Sequence, residues 1–127
     1  MSKSPVRAML GGGALLLMAL GAQPAAAQDY YAAFAYSLAN GAYGYSYNYP
    51  TQQEAEQRAM EECAKHSPEC KGVFWFRNAC GALAWASDNA YGWAWNVNLG
   101  EARVNALTEC SKYGPSCEIK ESFCTPR

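Results

Sequence analysis

The chain has 127 residues, half of them hydrophobic, and its ten Lys or Arg against eleven Asp or Glu leave a formal net charge of −1. Without the first 27 residues the remaining 100 carry eight basic and eleven acidic side chains, a net charge of −3. That balance excludes the basic face a nucleic-acid partner needs, and the length suits one domain.

The first segment in chain order reads as a leader rather than as part of the fold. Lys3 and Arg7 precede a charge-free stretch, residues 8–22, and Ala25-Ala26-Ala27 follows Pro24. A basic start, an apolar run and a small-residue end form the pattern of a cleaved signal peptide. The apolar run of 15 residues is shorter than the roughly 18 of a spanning helix, so no membrane span is expected after cleavage. The first cysteine is Cys63, far from the cleavage site, which rules out a lipid-anchored N-terminus. Residues 1–27 are therefore expected to be removed, leaving residues 28–127 as a single secreted or periplasmic domain.

The remaining chain is written twice. Residues 32–37 alternate small and aromatic side chains, as do 43–48, and this period of two predicts strands. Between them Asn40-Gly41 signals a hairpin turn. Thr51-x-x-Glu54 is a capping box, in which the Thr hydroxyl and the Glu carboxylate each satisfy an orphan helix amide. Ala55, Ala59 and Cys63 then recur every four residues, a narrow small-residue face that can approach a sheet closely. The helix should end near His66, before Ser67-Pro68, and a third strand should cover residues 72–77.

The second copy repeats this order. Residues 81–86 answer 32–37, and Tyr91-Gly92-Trp93-Ala94-Trp95-Asn96 answers Tyr43-Gly44-Tyr45-Ser46-Tyr47-Asn48. Asn98-x-x-Glu101 repeats the capping box, while Ala102, Ala106 and Cys110 repeat the helix face. That helix should end near Tyr113, before Gly114-Pro115, with a last strand at 118–123. Such register marks a duplicated unit, repeat one at about 30–78 and repeat two at about 79–124. The fold class is α+β: two tandem strand–strand–helix–strand repeats whose antiparallel strands form one sheet or two packed sheets, covered by two helices.

All six cysteines follow the leader, and an even count in a small exported chain implies disulfides. Six cysteines allow 15 connectivities, and spacing alone does not choose among them. The duplication does. Cys63 and Cys70 are seven apart, as are Cys110 and Cys117, so each pair closes a short loop in its own repeat and Cys80 is left to Cys124. A zinc site would need the same thiolates. The six residues between the members of each pair exceed the usual ligand spacing, so neither metal nor cofactor is expected.

Taken together, these segments match a known pattern. Ala33-Phe34-Ala35-Tyr36-Ser37, Ala42-Tyr43-Gly44-Tyr45-Ser46, Phe76-Arg77-Asn78-Ala79-Cys80-Gly81-Ala82-Leu83-Ala84 and Ala90-Tyr91-Gly92-Trp93-Ala94, with the two Glu-Ala helices ending at Cys63 and Cys110, resemble the bacterial domain of unknown function 4189 family. The resemblance covers about residues 30–124. It implies a small exported bacterial protein and carries no catalytic residue over.

Candidate chemistry is sparse. His66, the only histidine, stands beside Lys65 at a helix end where a cation suits the dipole. It has no partner in sequence that would make it a catalytic base. Glu54, Glu61, Glu62, Glu101 and Glu109 fall on helices, two in caps and three on solvated faces. No nucleophile elbow or phosphate-binding glycine loop is present.

Aromatics are the unusual feature, at 17 Phe, Trp or Tyr in the chain. Tyr43, Tyr45, Tyr47 and Tyr49 share one strand face, and Tyr91, Trp93 and Trp95 line the matching one. Such rows are expected either to form the core beneath the small-residue helices or to remain partly exposed as a binding surface that stacks on sugars or anchors a protein. The opposite face, with Gly44, Ser46, Asn48, Gly92, Ala94 and Asn96, is flat enough to admit a second layer or a ligand. These readings point to a non-enzymatic binding module whose partner is another exported protein. The alternatives are a cell-wall or glycan-binding domain using Trp93, Trp95 and the tyrosine row, or a small envelope hydrolase with carboxylates from both halves in one cleft.

Overall fold

Both repeats fold in the order that their patterning predicts. The computed structural model describes residues 28–126, so the expected leader lies outside the described residues. Repeat one holds β1 (Tyr31–Ser37), β2 (Tyr43–Tyr49), α1 (Gln52–Ala64) and β3 (Cys70–Arg77). Repeat two holds β4 (Cys80–Trp85), β5 (Tyr91–Asn96), α2 (Leu99–Ser111) and β6 (Glu118–Cys124). Each repeat makes its own three-stranded antiparallel sheet, in the order β2-β1-β3 and β5-β4-β6. The arrangement is thus two packed sheets rather than one continuous sheet.

Local signals explain the elements. Thr51 Oγ1 accepts the Glu54 amide at 3.2 Å, and Asn98 Oδ1 accepts that of Glu101 at 3.0 Å. Both helices therefore start where an orphan amide finds a side-chain acceptor. The last helical residues are Ala64 and Ser111, two residues short of the expected stops at His66 and Tyr113. The third strands begin at Cys70, which itself closes the first short disulfide loop two residues before the expected start, and at Glu118, directly after Cys117 closes the second. Gly41 takes the left-handed conformation of the first hairpin turn (φ 74°), and Asn89 (φ 66°) does so in the second.

The helices do not lie over the aromatic rows. Ala55, Ala59 and Cys63 pack with Ala33 and Ala35 of β1, and Ala102, Ala106 and Cys110 pack with Ala82 and Ala84 of β4. Gly44 and Gly92 face the same way. A Cβ on Gly44 would run into the Cys63 backbone nitrogen and stand 2.6 Å from the Ala59 carbonyl oxygen. One on Gly92 would strike the Cys110 nitrogen and the Ala106 oxygen. Ser46, buried on this face, donates its hydroxyl to the Ala55 carbonyl. The flat face of each hairpin therefore admits a second layer, and that layer is the helix.

This corrects the expectation of an aromatic core beneath the helices, and the reason is steric. A stripe of Ala and Cys permits close backbone approach only where the facing residue is also small. A Tyr or Trp there would hold the helix away and leave voids that close packing does not tolerate. Most of the large side chains turn the other way, into the space between the sheets. Phe34, Phe74, Phe76, Leu83 and Tyr91 are buried there. Rings meet across the gap, Phe34 with Phe123 at 5.2 Å, Tyr36 with Tyr91 at 4.7 Å and Phe74 with Trp93 at 4.5 Å. Tyr49 does not share the face of Tyr43 and Tyr45 as expected, because the β2 bulge turns it to the helix side, where it packs with Tyr31 beside the α1 stripe. The layers run α1, sheet one, sheet two, α2. Phe34 is fully buried at the centre, and burial of such a side chain contributes roughly 3 kcal/mol.

Candidate functional site

The cysteines pair as the duplication requires: Cys63–Cys70, Cys110–Cys117 and Cys80–Cys124. No described cysteine is free, and among the described residues no three His, Cys, Asp or Glu stand close enough to hold a metal. Cys80 and Cys124 face each other directly across β4 and β6. The corresponding place in repeat one is taken by Tyr31 and Arg77, whose guanidinium lies 6.0 Å from the tyrosine ring centroid.

The aromatic rows are divided by the sandwich. Tyr91 is buried and donates its hydroxyl to the Ser37 carbonyl. Burial pushes its phenol, and that of the neighbouring Tyr36, above the usual tyrosine range. Tyr43 is half-buried with its hydroxyl 3.4 Å from the Glu121 carboxylate. Burial first, then the Glu121 charge, raises its pKa. Tyr45 and Tyr47 are exposed and lie against Phe123, at 5.3 and 5.8 Å between ring centroids. These residues mark the side of the sandwich where β2 meets β6.

Trp93 and Trp95 stand on the other side, where β3 faces β5. They are 43% and 55% exposed on the face between the sheets, while Val73 and Trp75 of β3, paired with Ala35 and Ala33, are 39% and 41% exposed on the outer, α1 face of sheet one. Together with Phe74 and Phe76 they line a recess of about 570 Å³, with Glu56 and Arg77 at its rim. Val73 and Trp75 were not singled out from sequence. Their signal is that β3 is apolar on both phases, Val73 and Trp75 on one and Phe74 and Phe76 on the other. A strand of that kind needs cover on both faces, and here the first face lacks it.

A second cleft, about 450 Å³, lies between β2 and α1 and is lined by Tyr43, Tyr47, Arg58, Glu62 and His66. Arg58 binds Glu62 at 2.6 Å and Lys65 binds the same carboxylate at 3.0 Å. The Lys65 hydrogen bond, with the Arg58 charge added, holds the Glu62 pKa below the usual carboxylate range. A carboxylate in that state is a poor proton donor or base at neutral pH. His66 is exposed at the mouth of this cleft. The Glu54 carboxylate accepts the Thr51 hydroxyl at 3.1 Å rather than the backbone amide that the capping box assigns it, Glu61 lies 3.7 Å from Arg58, and Glu109 pairs with Lys112 at 2.7 Å. Four clefts among the described residues carry one carboxylate each, Glu62, Glu56, Glu121 and Glu109, and none of these four presents the pair that glycoside hydrolysis uses.

These features define a class of duplicated, disulfide-braced α+β domain with helices outside and an aromatic seam between two sheets. The chain belongs to the family described as Domain of unknown function (DUF4189), which matches residues 31–124. It is similar to Protein Mb1300c of Mycobacterium bovis and Protein Rv1269c of Mycobacterium tuberculosis. Each is 42% identical over 83 residues, 65% of this chain and 63% of the relative. The match thus spans less than two thirds of those relatives' length. The NMR structure of Rv1813c from Mycobacterium tuberculosis has a similar fold, with a TM-score of 0.59 at 28% identity over 80% of this chain and 79% of that one.

Proposed function

We propose that the protein is an exported binding module that engages another exported protein through the aromatic side where β3 meets β5. The observation that carries this reading is the cluster of Val73, Trp75, Trp93 and Trp95, each at least 39% exposed. They line one recess around the β3 edge with Glu56 and Arg77 at its rim; exposed apolar surface rimmed by polar residues characterises interaction sites, and Trp is among the residues that dominate binding energy at interfaces. Export is supported by three disulfides with no free cysteine among the described residues, since such bonds persist in oxidising compartments. None of the described helices is long and apolar enough to cross a membrane. The exported form then begins at Gln28, which intact mass determines.

The test is capture from the exported fraction by the wild-type chain and by a Trp75→Ala, Trp95→Ala double variant, with a glycan array probed in parallel. Both substitutions fall on exposed side chains and should leave the fold intact. Protein capture by the wild type that falls at least tenfold in the variant supports the reading. Capture unaffected by the variant, or binding confined to glycans, defeats it.

A further inference from the structure

We infer that this aromatic side also pairs two copies of the chain, β5 against β5, in an antiparallel, two-fold symmetric contact. The inference rests on the reading of that side as a protein-binding surface and names one partner for it. It follows from a comparison of the four strand edges that the two sheets leave open.

Natural sheets protect their edges with bulges and charges. In β2 the register shifts opposite Tyr31 and Ala33, and Asn48 there adopts φ 63°. In β3 the register shifts at Lys71, and two-fold pairing about Phe74 would set Lys71 of one copy against Arg77 of the other. In β6 a shift falls at Lys120, between Ile119 and Glu121, with Glu118 nearby. The β5 edge has neither device. Its pairing with β4 runs without a shift from Trp85–Tyr91 to Cys80–Asn96, and Tyr91-Gly92-Trp93-Ala94-Trp95-Asn96 contains no charge.

The hydrogen-bond phase of β5 suits self-pairing. The Ala86 amide donates to the Ala90 carbonyl at 3.0 Å, and bonded pairs recur at every second position of an antiparallel ladder. The backbone groups of Gly92, Ala94 and Asn96 therefore point toward β4, and those of Trp93 and Trp95 point outward. A two-fold axis at Ala94 places Trp93 of one copy opposite Trp95 of the other, twice. Both are bonded positions, so the outward amides and carbonyls of these two tryptophans are all satisfied. The same register sets their side chains on one face, as favourable aromatic cross-strand pairs, and opposes Gly92 to Asn96 with no like charges.

The area sets the strength. At 43% and 55% exposure, Trp93 and Trp95 offer about 250 Å² per copy. Even with the strand backbone this falls below the roughly 1,200 Å² total of a standard stable interface. The pair is weak and concentration-dependent.

Sedimentation equilibrium of the oxidised, exported chain tests this from about 10 μM to about 1 mM, the range in which so small an interface associates. A monomer–dimer equilibrium is expected, weakened at least tenfold by Trp95→Lys and unchanged by Trp75→Lys. Amide exchange on the wild type supplies a readout free of substitution. The Trp93 and Trp95 amides should slow at least fivefold at the highest concentration, and those of Val73 and Trp75 should not. A monomer throughout, a dimer indifferent to Trp95→Lys, or protection in β3 instead of β5 would each overturn the pairing. Trp95-dependent capture of another protein by a chain that stays monomeric would overturn it and leave the proposed function standing. Loss of both would remove the two together.

Discussion

Gly92→Ala adds one methyl group at the point where α2 lies closest to its sheet. The new Cβ would collide with the Cys110 backbone nitrogen and the Ala106 carbonyl oxygen and stand 2.8 Å from Cys110 Cα. Ordinary carbon contacts begin near 3.5 Å, so the helix would have to lift by roughly 1 Å. It cannot lift freely, because Cys110 is bonded to Cys117 at the same turn. Lifting would also open gaps under Ala102 and Ala106, both fully buried. Overpacking of this kind costs typically 1–3 kcal/mol, and a backbone obstacle fixed by a disulfide places it at about 3. Gly100→Ala is the control, since the Cβ there meets only Asn98 Oδ1, at 3.2 Å, and helix propensity favours Ala by up to about 1 kcal/mol. With a urea slope of roughly 1.5 kcal/mol/M, Gly92→Ala should lower the unfolding midpoint by about 2 M and leave the slope unchanged. Gly100→Ala should hold or raise it. A Gly92→Ala midpoint within about 0.3 M of wild type, less than 0.5 kcal/mol at that slope, would refute the close helix–sheet contact and return the aromatic rows to the space beneath the helices.

The long disulfide should matter more than the short ones. Cys80–Cys124 spans 44 residues and each short bridge spans seven, a loop-closure difference of about 1.5 kcal/mol. Replacing Cys80 and Cys124 by Ser should therefore lower the denaturant midpoint more than either short-pair double replacement, and equal midpoints for all three would contradict it. Alkaline pH should destabilise the fold through its tyrosines. The pKa values of Tyr36, Tyr43 and Tyr91 are raised chiefly by burial, so above the unfolded value of about 10 the unfolded chain loses phenolic protons that the folded chain keeps. Stability should be level up to about pH 10 and fall as pH rises through the raised values. No free thiol among the described residues is present to start disulfide exchange. Urea midpoints measured along that range, with Tyr91→Phe reducing the fall, check the effect, and a constant midpoint to about pH 11 would exclude it.

What the sequence discloses here is what is decided locally or by repetition. Thr51 and Asn98 cap helices because their own neighbours supply the amides, and the disulfide pairing follows from two copies that must fold alike. The choice of covered face is not local. Tyr43 and Gly44 alternate with equal regularity, and period two alone does not say which phase meets a helix. The deciding fact is the match between the Ala-Ala-Cys stripe and Gly44 or Gly92, which demands that small meet small. Trp75 was passed over for a related reason. Its strand is apolar on both phases, so the pattern does not say which one is covered, and the placement of α1 mainly over β1 and β2 leaves the Val73–Trp75 phase open. The split of one aromatic row to each side of the molecule likewise depends on how two sheets face each other, a relation that neither repeat contains alone.

That facing relation has a consequence for how such a chain can be divided. All three disulfides close within a repeat, so the backbone at Asn78 and Ala79 is the only covalent link between the halves among the described residues. Everything else that joins them is ring packing and a few hydrogen bonds. Neither half can stand alone, because each would turn a naked aromatic sheet to water. A single ancestral unit would have had to meet a twin to hide its Phe34 face. Duplication in this fold is then the tethering of an older association, and severing the tether should restore a partnership rather than produce two domains.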